Sequence, residues 1–172
     1  MGNQIKLILA VAVLVTSALF FTLYADSTGK TLDMTVTIRD GSNDNPLMAL
    51  WLENDNGEFI KTLHMFSKRK LYYSQLKGWA SKSKGTEKPD DIDAVSGPTV
   101  GWNQSSTISI PAQMGSIDLL NGKYILCIES RTHFGENHRS LKIPLAEGYT
   151  NSVYENVGSM KSVEIKVRDK AN

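Results

Sequence analysis

The chain has 172 residues, of which 41% are hydrophobic and 22% charged, and its net charge is +1. Once an apolar N-terminal segment is set aside, roughly 145 residues remain, enough for one domain with a single core. This balance excludes an extended disordered chain and a dedicated nucleic-acid surface, which would need a basic stripe.

Met1 to Lys6 is short, polar and positively charged, and Leu7 to Ala25 is apolar apart from Thr16, Ser17 and Thr22. That run is roughly 19 residues, close to the ~20 that cross a bilayer core. Two readings stand: a signal peptide ending near Ala25, or an uncleaved membrane anchor. Both put residues 26–172 on the extracytoplasmic side, because the positive end stays inside. Lys6 occupies the position where N-myristoylation requires Ser or Thr, so that pattern is not met.

Residues 26–30 read as a linker and 31–169 as one folded domain. Leu32, Met34, Val36 and Ile38 alternate with polar residues, as in a strand with one buried face. Asp40 to Pro46 is a turn cluster. Leu47 to Glu53 is the next strand, with Trp51 on one face and Leu50 and Leu52 on the other. Asn54-Asp55-Asn56-Gly57 turns it into a third strand, Phe59 to Phe66. This hairpin resembles those of immunoglobulin-like modules, a likeness of fold alone.

Tyr72, Leu76, Trp79 and Ala80 have helical spacing, and predict one short helix over 71–82 with Tyr73 and Trp79 packed on the core. The basic run Lys68-Arg69-Lys70, with Lys77, Lys82, Lys84 and Lys88 after it, reads as a solvated face. Ser81 to Asp91 reads as an exposed polar loop. Further strands are expected at Ser105–Ile110, Gly122–Arg131, Arg139–Leu145 and Val163–Val167. Cys127, the single cysteine, lies in the Tyr124–Ile128 run and reads as a small buried hydrophobe. The whole is a mainly all-β chain: an immunoglobulin-like β-sandwich of about seven or eight strands with one short helix, preceded by an N-terminal hydrophobic helix.

One stretch departs from this pattern. Asp93-Ala94-Val95-Ser96-Gly97-Pro98-Thr99 resembles the flavin-attachment signature D-x-x-S/T-G-A-T, in which the last Thr is esterified to the phosphate of FMN. Asp93, Ser96, Gly97 and Thr99 match, and Pro98 stands in place of Ala. Such a site needs a hydroxyl acceptor on an exposed turn. Gly97 permits close approach of backbone to phosphate, and Ser96 and neighbouring N–H groups are donors for phosphate oxygens. Asp93 would orient the segment, and Trp102 is a candidate to stack on the isoalloxazine ring. The competing reading is a Ser-Gly-Pro turn with Trp102 in the core. A second cluster, Glu129 to His138, offers His133 and His138 as metal ligands without firm spacing; a polar hairpin end is the simpler reading.

The hairpin Ala49–Leu63, the Trp79 segment, Asp93–Gly97 and Glu129-Ser130-Arg131 with His133 and Gly135 together resemble a bacterial family of predicted periplasmic proteins of unknown function, over roughly residues 31–168. The resemblance implies a periplasmic place and a link to flavin electron transfer, with an FMN transferase and a PepSY-type membrane reductase as partners and FMN held covalently on Thr99. Val100 stands where that family often has Arg. The chain would then be a carrier rather than an enzyme, since no catalytic triad, phosphate-binding loop or dinucleotide fingerprint is present. Two other readings stay open: a cofactor-free immunoglobulin-like module binding an envelope or membrane partner through residues 67–102, and a metal-binding module using His133 and His138.

Overall fold

A computed structural model describes residues 29–41, 45–67, 69–132 and 139–169. The apolar segment 1–25 and both His133 and His138 lie outside the described residues.

Two four-stranded antiparallel sheets face each other. The first has the order β4-β1-β10-β9 and the second β3-β2-β7-β8. The strands are β1 (Lys30–Ile38), β2 (Leu47–Asn54), β3 (Phe59–Met65), β4 (Ser105–Pro111), β7 (Tyr124–Arg131), β8 (Arg139–Leu145), β9 (Ser152–Val157) and β10 (Met160–Asp169). Between β4 and β7 a two-residue pair, β5 (Gln113–Met114) and β6 (Ile117–Asp118), makes a small separate hairpin. The eight longer strands agree with the count expected from alternation.

The alternation dictates which side chains meet. Leu32, Met34, Val36 and Ile38 of β1 enter the space between the sheets with Val163 and Ile165 of β10. They meet Met48, Leu50 and Leu52 of β2 and Leu126 and Ile128 of β7. Each such fully buried aliphatic side chain stabilises the fold by about 1.5–3 kcal/mol. Strand β2 is buried at every position from Leu47 to Glu53, because the second sheet is covered on both faces. Its outer face, carrying Leu47, Ala49, Trp51, Met65 and Cys127, packs against Tyr73, Leu76 and Trp79.

Those three residues come from the connection between β3 and β4. The single helix expected over 71–82 is broken at Leu76, whose ψ of 80° is not helical. A 3₁₀ turn, Lys70–Gln75, precedes the break and α1, Lys77–Ser83, follows it. The polar stretch read as a loop holds a further helix, α2 (Pro89–Ala94). Pro89 at its start and Asp90 and Asp91 in its first turn favour that helix. Glu129 of β7 is buried and binds the start of α1, accepting from the Gly78 and Trp79 N–H groups at 3.1 and 2.8 Å. Glu53 of β2, also fully buried, accepts from the Trp51 indole at 2.9 Å and pairs with Lys82 at 3.0 Å and Lys142 at 2.7 Å. Burial pushes its carboxyl up, but the hydrogen bonds from Lys142, Trp51 and Lys82 outweigh this and hold it below the ordinary value.

Candidate functional site

The Asp93–Thr99 stretch runs along the free edge of β3. An exposed edge presents unpaired backbone groups that invite association with other chains, and here they are covered. Met65 N–H donates to the Val95 carbonyl at 3.1 Å, and Gly97 N–H donates to the Met65 carbonyl at 2.8 Å, forming a one-residue parallel bridge at Ser96. Further along the same strand, the Thr62 N–H and hydroxyl both donate to the Glu87 carboxylate, and the Trp79 indole donates to Thr62 Oγ1 at 2.8 Å.

Each residue of the stretch has a definite position. Asp93, at the end of α2, is exposed and paired with Lys70; that hydrogen bond holds the Lys70 ammonium above its ordinary range. Ser96 Oγ lies 2.7 Å from the Ile92 carbonyl and 3.1 Å from the Tyr73 hydroxyl, which lies 2.6 Å from the Ser67 carbonyl, so the two hydroxyl protons are shared among three contacts. Gly97 is buried beneath the His64 ring: a Cβ there would lie 2.7 Å from His64 Nε2. His64 packs edge-on against Phe66, with centroids 4.5 Å apart, and burial holds its imidazole below the ordinary value. The Gly97 N–H therefore serves the bridge to β3, and the Ser96 hydroxyl ties the segment to Ile92 and Tyr73.

Thr99, three residues past the bridge, opens onto a cavity of about 210 Å³. Ser67, Arg69, Tyr72 and Gln75 line it beside Thr99, with Leu47 of β2. Arg131, paired across the sheet with Leu47, donates to the Gln75 carbonyl at 2.8 Å, while its Nε is buried without a hydrogen-bond partner. The cavity is thus lined by polar side chains, with Arg69 and Tyr72 among them. These features suit an anionic ligand.

Trp102 lies elsewhere. Its ring sits against Gly41, where a Cβ would approach Cδ2 to 2.5 Å, and it packs against the inter-sheet core. Cys127 is buried, and its thiol is pushed up to about 12, first by burial and then by the Glu53 charge. Among the described residues no group of three or more His, Cys, Asp or Glu side chains could hold a metal ion.

The family model for a predicted periplasmic protein, DUF2271, matches residues 30–162. The chain belongs to this family. The match spans the sandwich from β1 into β10 and includes the whole Asp93–Thr99 stretch. Membership in DUF2271 makes the chain a periplasmic protein, in line with the charged and apolar start of the sequence. No curated protein and no solved structure matches it.

Sequence reasoning brought Ser96, Gly97 and Thr99 into view but missed Ser67, Arg69, Tyr72 and Arg131. Arg69 sits inside a basic run that reads as solvated surface, and Arg131 at a strand end; nothing in their spacing links them to Thr99.

Proposed function

We propose that this periplasmic protein serves flavin-linked electron transfer and carries FMN through a phosphodiester at Thr99. The observation that supports it is the Thr99 cavity, with Arg69 and Tyr72 on its lining beside the hydroxyl-bearing Thr99. In the attachment step the Thr99 oxygen bonds to the FMN phosphorus of FAD, the bond to AMP breaks, and the hydroxyl proton leaves with AMP. Arg69 would balance the phosphodiester charge, and Tyr72 would flank the ring system. The bound flavin supplies the one- and two-electron redox chemistry. The chain's own part is to hold Thr99 at a fixed place: the bridge at Ser96 anchors one side, and Pro98, with its fixed φ, stiffens the link to Thr99. An FMN transferase and a PepSY-type membrane reductase are the partners this reading requires.

A second reading, a cofactor-free interaction module, is favoured by Leu71, which is 90% exposed on the 3₁₀ turn beside the cavity. Co-expression in the periplasm with an FMN transferase separates the two. An intact mass raised by one FMN unit in the parent and in Thr99→Ser, but not in Thr99→Ala, supports attachment. An unmodified parent, with the transferase active on a known acceptor, overturns attachment and leaves the interaction module.

A further inference from the structure

Strands β8 and β9 touch along one side of the sandwich, so β3 and β4, at the other ends of the two strand orders, flank the opposite side. There Ile108 of β4 and Ile60 and Leu63 of β3 are half-buried, packed against the core between the sheets. We propose that β4 is an interaction edge, pairing antiparallel with β4 of a second copy of this chain so that the two first sheets continue into one another. This surface shares no residue with the lining of the Thr99 cavity and needs no flavin.

The backbone of β4 is open on its outer side. Ala112 N–H donates to the Lys30 carbonyl at 2.8 Å, and Ile38 N–H to the Gln104 carbonyl at 2.9 Å. The register with β1 is unbroken between these bonds. Even-numbered residues therefore bond to β1, and the N–H and C=O groups of Ser105, Thr107 and Ser109 face outward. Among the described residues no hydrogen bond meets them. Their hydroxyls do not turn back to cover them: Thr107 and Ser105 bond to Thr35 and Thr37 at 2.8 and 2.9 Å, and Ser109 donates to Asp33 at 2.6 Å. The other edges are defended. β3 is covered by the Ser96 bridge and Glu87, β8 carries Lys142 and Pro144, and β9 carries Glu155 and a bend at Asn156, whose φ is 58°. β4 has no charged residue and no bulge, and its one proline, Pro111, stands at its end.

A second copy fits this edge because β4 complements itself. About a two-fold axis at Ile108, Thr107 and Ser109 of the two copies exchange backbone hydrogen bonds. Ser105 N–H reaches the Pro111 carbonyl, and the ladder ends where proline has no N–H to give. Side chains keep their faces in this pairing. Hydroxyls meet hydroxyls on the solvent side. On the core side the half-buried Ile108 meets its own copy, in a non-hydrogen-bonded pair where side chains approach closest. Identical charged strands would bring like charges together, whereas this one opposes none. The junction is narrower than a standard protein interface, which makes the dimer a weak and reversible one.

Disulfide trapping of the full-length chain in the periplasm tests this. Cys127 is buried and supplies no competing thiol. Ile108→Cys, treated with diamide, should run as a covalent dimer on a non-reducing gel, since a non-hydrogen-bonded cross-strand pair has the Cα spacing a disulfide accepts. Val153→Cys, on the opposite edge of the same sheet and 57% exposed in the parent, should stay monomeric. Adding Thr107→Lys and Ser109→Lys, which face each other across the junction, should cut the trapped fraction by about fivefold or more. No dimer from Ile108→Cys, equal trapping at both edges, or trapping that survives the two lysines overturns the proposal. Capture of a different protein by the introduced thiol overturns the second copy as the occupant. Amide hydrogen exchange of the unsubstituted chain in detergent micelles decides even where a variant fails to fold. The Thr107 and Ser109 amides should exchange more slowly as protein concentration rises, and rates independent of concentration overturn the pairing.

Discussion

Gly97→Ala tests whether the motif is held to β3 by close packing. An alanine Cβ would fall 2.7 Å from His64 Nε2 and 2.8 Å from Cε1, roughly 0.7 Å or more inside the ~3.5 Å of ordinary contact. The ring has little freedom to yield, because its edge contact with Phe66 holds it on the other side. Either that contact opens or the Gly97–Met65 hydrogen bond does. Overpacking of this kind costs about 1–3 kcal/mol, and loss of the aromatic pair adds about 0.5–1.5 kcal/mol. Against this, alanine stiffens the unfolded chain and returns about 0.4–1 kcal/mol. The net expectation is a loss of about 2 kcal/mol. At about 2–4 °C per kcal/mol for a chain of this length, Tm should drop by about 4–8 °C. Circular-dichroism melts of Gly97→Ala, His64→Ala and the double variant measure it. The double variant removes the clash, so the two effects should couple by about 1 kcal/mol or more. Additivity within about 0.5 kcal/mol, or a stabilised Gly97→Ala, would refute the packing account.

Three further outcomes follow from buried polar groups. Glu53→Gln keeps the volume but removes the charge facing Lys82 and Lys142, and should cost about 2–4 kcal/mol in urea unfolding. The folded Glu53 carboxyl lies below its ordinary value, so its contribution is present above the unfolded pKa of about 4.3. It is lost as pH falls through the lower folded value; Glu53→Gln should therefore flatten the acid limb of the stability curve, and an unchanged limb would count against the pairing. Cys127, with its thiol pushed up to about 12, should resist a thiol reagent at neutral pH until urea unfolds the chain; prompt labelling of the native protein would contradict its burial. Trp79→Phe loses the 2.8 Å indole bond to Thr62 and should lower stability by about 1 kcal/mol, an effect that should shrink in a Thr62→Val background if the bond is its cause.

Much of the sandwich was legible because its strands alternate. Residues 32–38 place apolar side chains at every second position, and the faces assigned to Trp51, Leu50 and Leu52 are the faces they occupy. Strand β9 escaped notice for the opposite reason. At the outer edge of its sheet it buries no residue fully, and Val153 is 57% exposed, so no alternating signal marks it. The helical layer was half legible. Tyr73 and Trp79 pack on the core as expected, and of the four residues at helical spacing Leu76 and Trp79 are buried while Tyr72 and Ala80 are half-buried; spacing records which side chains point inward and not the backbone break at Leu76. Helix α2 carries its signal in Pro89 and two acidic residues rather than in an apolar face, so a reading keyed to periodicity passed over it.

The Asp93–Thr99 stretch shows why a motif alone underdetermines a site. Four matching residue types define a segment, but their partners come from far along the chain. His64 dictates the glycine at 97, Tyr73 and Ile92 take up the Ser96 hydroxyl, and Met65 takes the Gly97 N–H. None of these interactions involves a ligand; together they close the edge of β3. The chemistry-bearing position, Thr99, begins where that pairing ends and faces residues 67–75, some 30 positions earlier in the sequence. Edge protection and presentation of the hydroxyl are thus consecutive tasks of one short segment. A loosened bridge would expose β3 and displace Thr99 together, so the glycine that packs under His64 bears on the cavity as directly as the residues that line it.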